Sequence, residues 1–341
     1  FLHGLLAQFE RDGFHHLLVA LQPVRDTAGA RLVALADEFV DASGLDDARL
    51  LQRLRDLRLD VLVDLAGHST ANRLPVLARR VAPLQLCWLD WFDTTAAPAM
   101  DAWISDGWLT PADSTQRHTE QVVRLAAGRL CYTPPDDSPA PMHDGGGTPV
   151  FASFNRLAKL NDGVVDTWAR ILHRVAGARL ELRAGTLAEP ATRARLHERF
   201  ARRGIGAERV GLYGELPYPD LLRAYRHVDI ALDPFPFSGC ATTCDALWMG
   251  CPAVALAGET FVSRQSASLL SRLGRDEWIA RDRAGYIDCA VALAHDIEAV
   301  RANRPALRES VLHCLCDARA QATEFASALR VLWRSRCAQP A

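Results

Sequence analysis

Lysine is almost missing from this chain. Of its 39 basic residues one, Lys159, is lysine, and every other is arginine. With abundant Ala and Leu, that bias marks a GC-rich coding sequence. It also singles out Lys159, since arginine serves for charge everywhere else, although on composition alone a surface lysine kept by chance is the readier explanation. A disulfide framework is missing too. The nine cysteines are odd in number and scattered, with no C-x-x-C pair; Cys314 and Cys316 have the wrong spacing for a zinc knuckle. They read as reduced thiols of a cytoplasmic protein, most of them small core residues. Charge excess is missing: 39 basic against 41 acidic residues leave −2, which gives no electrostatic case for nucleic acid or an anionic membrane. No apolar run reaches the ~18–20 residues of a membrane helix, so no membrane span is expected. There is no D-x-D pair, which weighs against a carboxylate-held metal. There is no G-x-x-x-x-G-K-[ST] and no G-x-G-x-x-G, so ATPase, kinase and dinucleotide readings lose support. The first residue is Phe1 rather than Met, so a targeting segment is neither indicated nor excluded.

What remains is an ordinary globular composition, 49% hydrophobic and 23% charged over 341 residues, a length for two domains. Residues 1–12, 27–37, 45–58 and 70–80 carry helical periodicity. Residues 14–23, 38–43, 59–67 and 84–92 read as strands. The alternation predicts a parallel α/β domain over 1–133. Residues 134–149 (PPDDSPAPMHDGGGTP) lose all apolar period and read as a linker. Strands at 150–154, 178–185, 209–214, 229–235 and 252–258 alternate with helices at 161–176, 190–203, 217–228, 242–250 and 263–273. They predict a second doubly wound domain over 150–305, followed by a C-terminal helical segment, 306–341. Two such domains in tandem suggest a nucleotide-binding cleft at their strand ends.

The segment 229–250, DIALDPFPFSGCATTCDALWMG, is the richest in candidate chemistry. A buried strand ends in turn residues, then Ser238, Gly239, Cys240, Ala241, Thr242 and Thr243 lead into a helix. Small residues let backbone approach a ligand, and a helix start favours an anion. Asp245, read in the first turn, suits sugar hydroxyls. An ordinary N-cap by Thr242 or Thr243, with Asp245 complementing the dipole, explains the pattern equally well. FASFNRLAKLND (151–162) places Asn155, Arg156 and Lys159 just after the first strand of the second domain, facing a ligand or forming a solvated loop. His68, after a strand and a glycine in DLAGHSTANR, is either functional or structural. WLDWFDTTAAPAMD (88–101) lines a sugar pocket or packs as a loop.

Taken together, DLAGHSTANRLPVLARRVAPLQLCWL (64–89), TTAAPAMDAWISD (94–106), FASFNRLAK (151–159) and the segment from Asp229 to Leu270 resemble one family. It is the catalytic region of the O-linked N-acetylglucosamine transferases and the related SPINDLY proteins, especially bacterial members. The resemblance runs in order over about residues 1–300. It implies a GT-B fold and an inverting, metal-independent transfer of GlcNAc from UDP-GlcNAc to Ser/Thr of proteins, with no cofactor beyond the nucleotide-sugar donor. It implies that Lys159 contacts the diphosphate, Asp245 holds the ribose, and Thr242 and its neighbours form the diphosphate loop. Arg156 then lies beside the phosphates and His68 beside the sugar. Two alternatives stay open: a degenerate relative that binds a nucleotide or partner without turnover, and an O-fucosyltransferase using GDP-fucose. The chain departs from the family pattern in several places. Asp90-Trp91-Phe92-Asp93-Thr94-Thr95-Ala96 stands where the family has a glycine-rich loop, Cys240 and Ala241 replace its usual residues, and Leu221 stands where a His is frequent. The family's preceding Gly-rich strand, with its His near the acceptor, and the tetratricopeptide repeats are expected upstream of Phe1. Residues 1–341 alone are therefore expected to transfer poorly.

Overall fold

Apolar runs and amphipathic segments alternate in the computed structural model, which describes residues 1–338, and they sort into two units. Phe1–Thr133 and the chain from Asp317 onward form the first; Pro134–Cys316 form the second.

The first unit runs α1 (Leu2–Gln8), β1 (Leu17–Ala20), α2 (Thr27–Val33), β2 (Glu38–Asp41), α3 (Asp47–Asp56), β3 (Val61–Asp64), α4 (Leu74–Leu77), β4 (Leu84–Cys87), β5 (Ala102–Asp106) and β6 (Gln121–Leu125). α3 starts where Asp46 accepts the Arg49 N–H, and it buries Leu50 and Leu54 on one face. The helix expected over 70–80 shrinks to α4, because Pro75 fits only a first turn and Arg80 takes a left-handed φ of 46°. The strand expected over 84–92 stops at Cys87, because Leu89 turns the chain at φ 91°. The sequence reading missed β5 and β6. β5 is buried on both faces yet ends in Ser105 and Asp106, whose side chains are satisfied by the Thr110 hydroxyl and by the N–H groups of Trp108, Leu109 and Arg129. The strands are parallel, but β1 pairs only with β2, while β3-β4-β5-β6 form a separate sheet. A cavity of about 610 Å³ lies among these elements, with Leu17, Val19, Leu54, Val61 and Val63 in its walls.

The second unit contains β7 (Val150–Ser153), α5 (Asp162–Arg174), β8 (Arg179–Arg183), α6 (Pro190–Ala201), β9 (Val210–Tyr213), α7 (Tyr218–Ala224), β10 (Ile230–Leu232), α8 (Ala241–Trp248), β11 (Ala253–Leu256), α9 (Gln265–Arg272), β12 (Ile279–Ala280), α10 (Arg283–His295), α11 (Ile297–Ala302) and α12 (Arg304–Leu315). Its six parallel strands lie in the order β12-β11-β10-β7-β8-β9. The order reverses between β7 and β10, which makes their carboxyl ends a topological switch point. Phe151, Trp168, Phe200, Ile230, Val254 and Tyr286 belong to the core that fixes it.

Two boundaries differ from the sequence reading. The 134–149 stretch has no regular element, but it groups with the second unit. His143 Nε2 lies 2.9 Å from Asp229 Oδ1 and Arg226 pairs with Asp144 at 2.6 Å, so polar contacts, the second of them an ion pair, hold a segment that has no apolar period. The expected C-terminal segment divides: α12 belongs to the second unit, whereas α13 (Ala318–Ala338) packs Ala322 and Phe325 into the first unit's core. Glu324 on α13 accepts the N–H groups of Ala126 and Ala127 at 2.5 and 2.7 Å.

Candidate functional site

Because β7 and β10 are neighbours, residues just past their ends meet. Beyond β7 come buried Asn155 and a 3₁₀ turn, Leu157–Lys159. Beyond β10 come Asp233 and the turn into α8. Lys159 Nζ donates to Ser238 O at 2.8 Å and to Asn155 Oδ1 at 3.1 Å. Thr242 Oγ1 donates to the same Asn155 oxygen at 3.1 Å. The Gly239 N–H donates to Asp233 Oδ1 at 2.6 Å, and Ser266 Oγ donates to Gly239 O at 3.1 Å. A Cβ on Gly239 would stand 2.7 Å from that Asp233 oxygen and 2.5 Å from Thr243 Oγ1, so close approach requires glycine here.

Asn155, Lys159, Ser238 and Thr242 therefore form one hydrogen-bonded cluster, and Gly239 follows Ser238 in the turn, held by Asp233 and Ser266. Thr243 is buried and shares a 2.8 Å hydrogen bond with Ser266. Arg156 and Ala241 are exposed, and Cys240 is the N-cap of α8. The helix expected over 242–250 starts at Ala241 and ends at Trp248, so Asp245 sits in the second turn rather than the first. Its Oδ1 accepts the Tyr218 hydroxyl at 2.7 Å. Neither Thr242 nor Thr243 caps the helix: α8 has no side-chain cap bond. The ordinary N-cap explanation of this segment is thereby set aside, since both hydroxyls are turned to other partners.

Burial lowers the Lys159 pKa below the ordinary lysine value; the Asp233 carboxyl opposes the shift and the Arg156 charge adds to it. Burial pushes the Asp233 carboxyl up to about 7, against the pull of the Gly239 N–H, the Ser266 hydroxyl and Lys159. An ammonium, a hydroxyl and the first turn of an eight-residue helix converge at one end of the sheet, and such a set suits an anion.

His68 belongs to the first unit. Gly67 has φ 54°, and a Cβ there would collide with the Trp91 side chain, so the turn after β3 depends on glycine. Asp64 closes the turn by accepting the Gly67 N–H at 2.8 Å, and its own burial raises its pKa. The exposed His68 ring lies 4.9 Å from the Trp91 ring, and its Nε2 is 2.7 Å from Thr95 O. A carbonyl accepts only, so Nε2 carries the proton and, in the neutral ring, Nδ1 keeps its lone pair. Thr95 is held in turn by Glu120, which accepts its N–H at 2.6 Å and the Thr94 hydroxyl at 2.6 Å. Ala96 has a left-handed φ of 52°, a backbone region that favours glycine.

The sequence reading missed Asp233, Tyr218 and Ser266, and it named Ser238 only as one of a run of small residues. Asp233 had a signal, a carboxylate closing the buried run DIALD. Ser238 acts through its carbonyl, which any residue possesses, and Tyr218 meets Asp245 only through the fold.

The profile of glycosyl transferase family 41 matches residues 9–130 and 145–324. A tomato (Solanum lycopersicum) protein named probable UDP-N-acetylglucosamine–peptide N-acetylglucosaminyltransferase SPINDLY is 34% identical over 306 residues, 87% of this chain and 32% of the relative. Its Arabidopsis thaliana namesake is 34% identical over 303 residues, 87% of this chain and 33% of that protein. The chain thus spans about a third of the length of these curated relatives. A lysine-to-methionine mutant of the Thermobaculum terrenum O-GlcNAc transferase superposes with a TM-score of 0.94 at 37% identity, over 99% of this chain and 65% of that one.

Proposed function

The chain belongs to glycosyl transferase family 41, and we propose that it transfers GlcNAc from UDP-GlcNAc to Ser or Thr hydroxyls of peptides, with inversion and without a metal. The observation that carries this reading is the cluster of Lys159, Asn155, Ser238 and Thr242, with Gly239 next in the turn, at the switch point of the second unit. In the proposed complex the diphosphate lies against the start of α8 and the Lys159 ammonium. The Tyr218–Asp245 pair stands at the ribose, and Arg156, Cys240, Ala241 and Thr243 frame the phosphates. The acceptor hydroxyl attacks the anomeric carbon from the face opposite the diphosphate and loses its proton to water; the new C–O bond forms as the bond to the diphosphate breaks, and UDP departs with the bonding electrons. Lys159 and the helix-start N–H groups stabilise the charge that develops there. A role for His68 toward the sugar, with Nδ1 as a hydrogen-bond acceptor, is carried over from the resemblance and belongs to the same proposal. The peptide acceptor follows the names of the relatives, and upstream tetratricopeptide repeats that hold it belong to the same proposal. A cytoplasmic location is also part of it, supported by nine free cysteines.

Calorimetric titration with a panel of nucleotide sugars tests the reading. UDP-GlcNAc is expected to bind and, in the full-length protein, to be turned over on peptide with chelator present. Preference for GDP-fucose would reassign the donor, and binding of no nucleotide sugar would overturn the reading.

A further inference from the structure

Asp233 is 3% exposed, with the Gly239 N–H as the hydrogen-bond partner of its Oδ1 and the Ser266 hydroxyl also drawing on the carboxyl. Oδ2 is buried without a hydrogen-bond partner. Such a group, in contact with a functional turn, needs an explanation. Its surroundings are fixed on every side. The backbone N–H of Asp233 bonds Val254 O at 3.0 Å, and its carbonyl accepts the buried Tyr286 hydroxyl at 2.9 Å. The turn it touches is equally fixed. Ser238 N donates to Val262 O, Ser238 O accepts from Lys159, Gly239 N donates to Asp233, and Gly239 O accepts from Ser266. All four backbone polar groups of Ser238 and Gly239 are thus engaged, two of them by titratable side chains, Lys159 on Ser238 O and Asp233 on Gly239 N–H.

We propose that Asp233 is a positioning residue for the diphosphate: through Gly239 it holds the turn that receives the anion, and it carries a proton on Oδ2 while the diphosphate is bound. The inference rests on the nucleotide-sugar reading given above. A buried carboxylate behind an anion-receiving turn repels the ligand; a neutral carboxyl keeps the Gly239 bond through Oδ1 and removes the repulsion. Buried at the end of β10, the carboxyl already has its pKa raised to about 7, and an incoming diphosphate raises it further. The titratable groups facing it are Lys159 from the 3₁₀ turn and Tyr286 from α10, with Cys240 at the start of α8 facing Lys159 in turn. The proton comes from solvent.

The test is the pH dependence of sugar-nucleotide affinity, measured with UDP-GlcNAc and GDP-fucose, whose diphosphates are esterified at both ends and do not titrate near neutrality. For whichever binds, the dissociation constant of the wild type is expected to rise roughly tenfold from pH 6 to pH 8, with proton uptake seen as a buffer-dependent heat. Asp233→Asn retains an oxygen acceptor for Gly239 N–H and is expected to bind with no such dependence. Asp233→Ala loses the acceptor and is expected to bind weakly at every pH. Binding by the wild type without pH dependence would overturn the inference and leave the nucleotide-sugar reading standing. Persistence of the full pH dependence in Asp233→Asn would assign it to Lys159 and also overturn it. Binding of neither ligand would remove the reading and the inference with it.

Discussion

Two buried carboxylates, one in each unit, are shifted in opposite directions. Glu120 in the first unit lies in an environment that disfavours its charge, yet the Thr94 and Thr95 hydroxyls and the Thr95 N–H bring its pKa below the ordinary value. Asp233 in the second unit accepts the Gly239 N–H, and burial outweighs what its partners offer. The two loops served by these groups differ accordingly. The turn at Gly239 has glycine where close approach demands it. The 89–96 loop adopts left-handed backbone at Leu89 and Ala96, where no glycine is present. A loop built against its backbone preferences needs a clamp. Glu120 provides one, and buried Arg129, whose Nη2 donates to Leu89 O and Trp91 O at 2.5 and 3.2 Å, provides another. A loop whose residue types already suit its path leaves its carboxylate free for other work.

The comparison can be broken most severely in the second unit's frame. Arg304 is 1% exposed and donates to the carbonyls of Val228, Tyr225 and Met249. Arg304→Ala orphans these acceptors and is expected to destabilise that unit by at least about 3 kcal/mol in denaturant titrations. Glu120→Ala is expected to cost the first unit about 2–3 kcal/mol by releasing the 94–95 segment. The accompanying pH effect has a definite sign. Glu120 has a depressed folded pKa, so its contribution is present above the ordinary value of 4.5 and is lost as pH falls through the folded pKa. The wild-type minus Glu120→Ala difference, followed by thermal unfolding, should shrink on acidification. Asp233 behaves oppositely: in stability its penalty grows as pH rises from the ordinary 3.8 through about 7. Lys159→Ala removes a charge-assisted bond worth about 1.5–3 kcal/mol, and UDP affinity should fall about tenfold or more in calorimetry. Lys159→Arg should restore it only in part. The smallest effect is a gain. Ala96→Gly relieves a left-handed alanine and should stabilise the first unit by about 1 kcal/mol in denaturant titrations.

Much of the second unit was legible because its strands are short apolar runs punctuated by Gly and Pro, and its helix α5 buries one periodic face. Helix α10 was not read. It buries Tyr286, Ile287, Ala290, Val291 and Ala294, but small residues surround these and blur the period. Strand β5 hid for the converse reason, since its last two residues are polar and only the fold supplies their partners. At the candidate site, residues with a conspicuous side chain were legible: Lys159, Asn155, Thr242 and Asp245. The contacts that give them meaning were not. The Ser238 carbonyl, the Tyr218 hydroxyl and the orphaned oxygen of Asp233 lie in positions set by strand order, and strand order is not written locally in the chain.

The scarcity of lysine turns the half-buried Lys159 into a chemical address. Across residues 1–341 an amine-acylating reagent finds one side-chain amine. Its pKa is lowered by burial, which leaves more free amine near neutrality to react. A mass increment localised to Lys159, as distinct from the α-amine, then reports on the switch point, and a ligand seated there shields it. A lysine-directed protease likewise has one side-chain-specified bond to cut, Lys159–Leu160, within a 3₁₀ turn that ends at a buried leucine. Survival of that bond becomes a readout of whether the second unit is folded, requiring neither an engineered probe nor a chromophore.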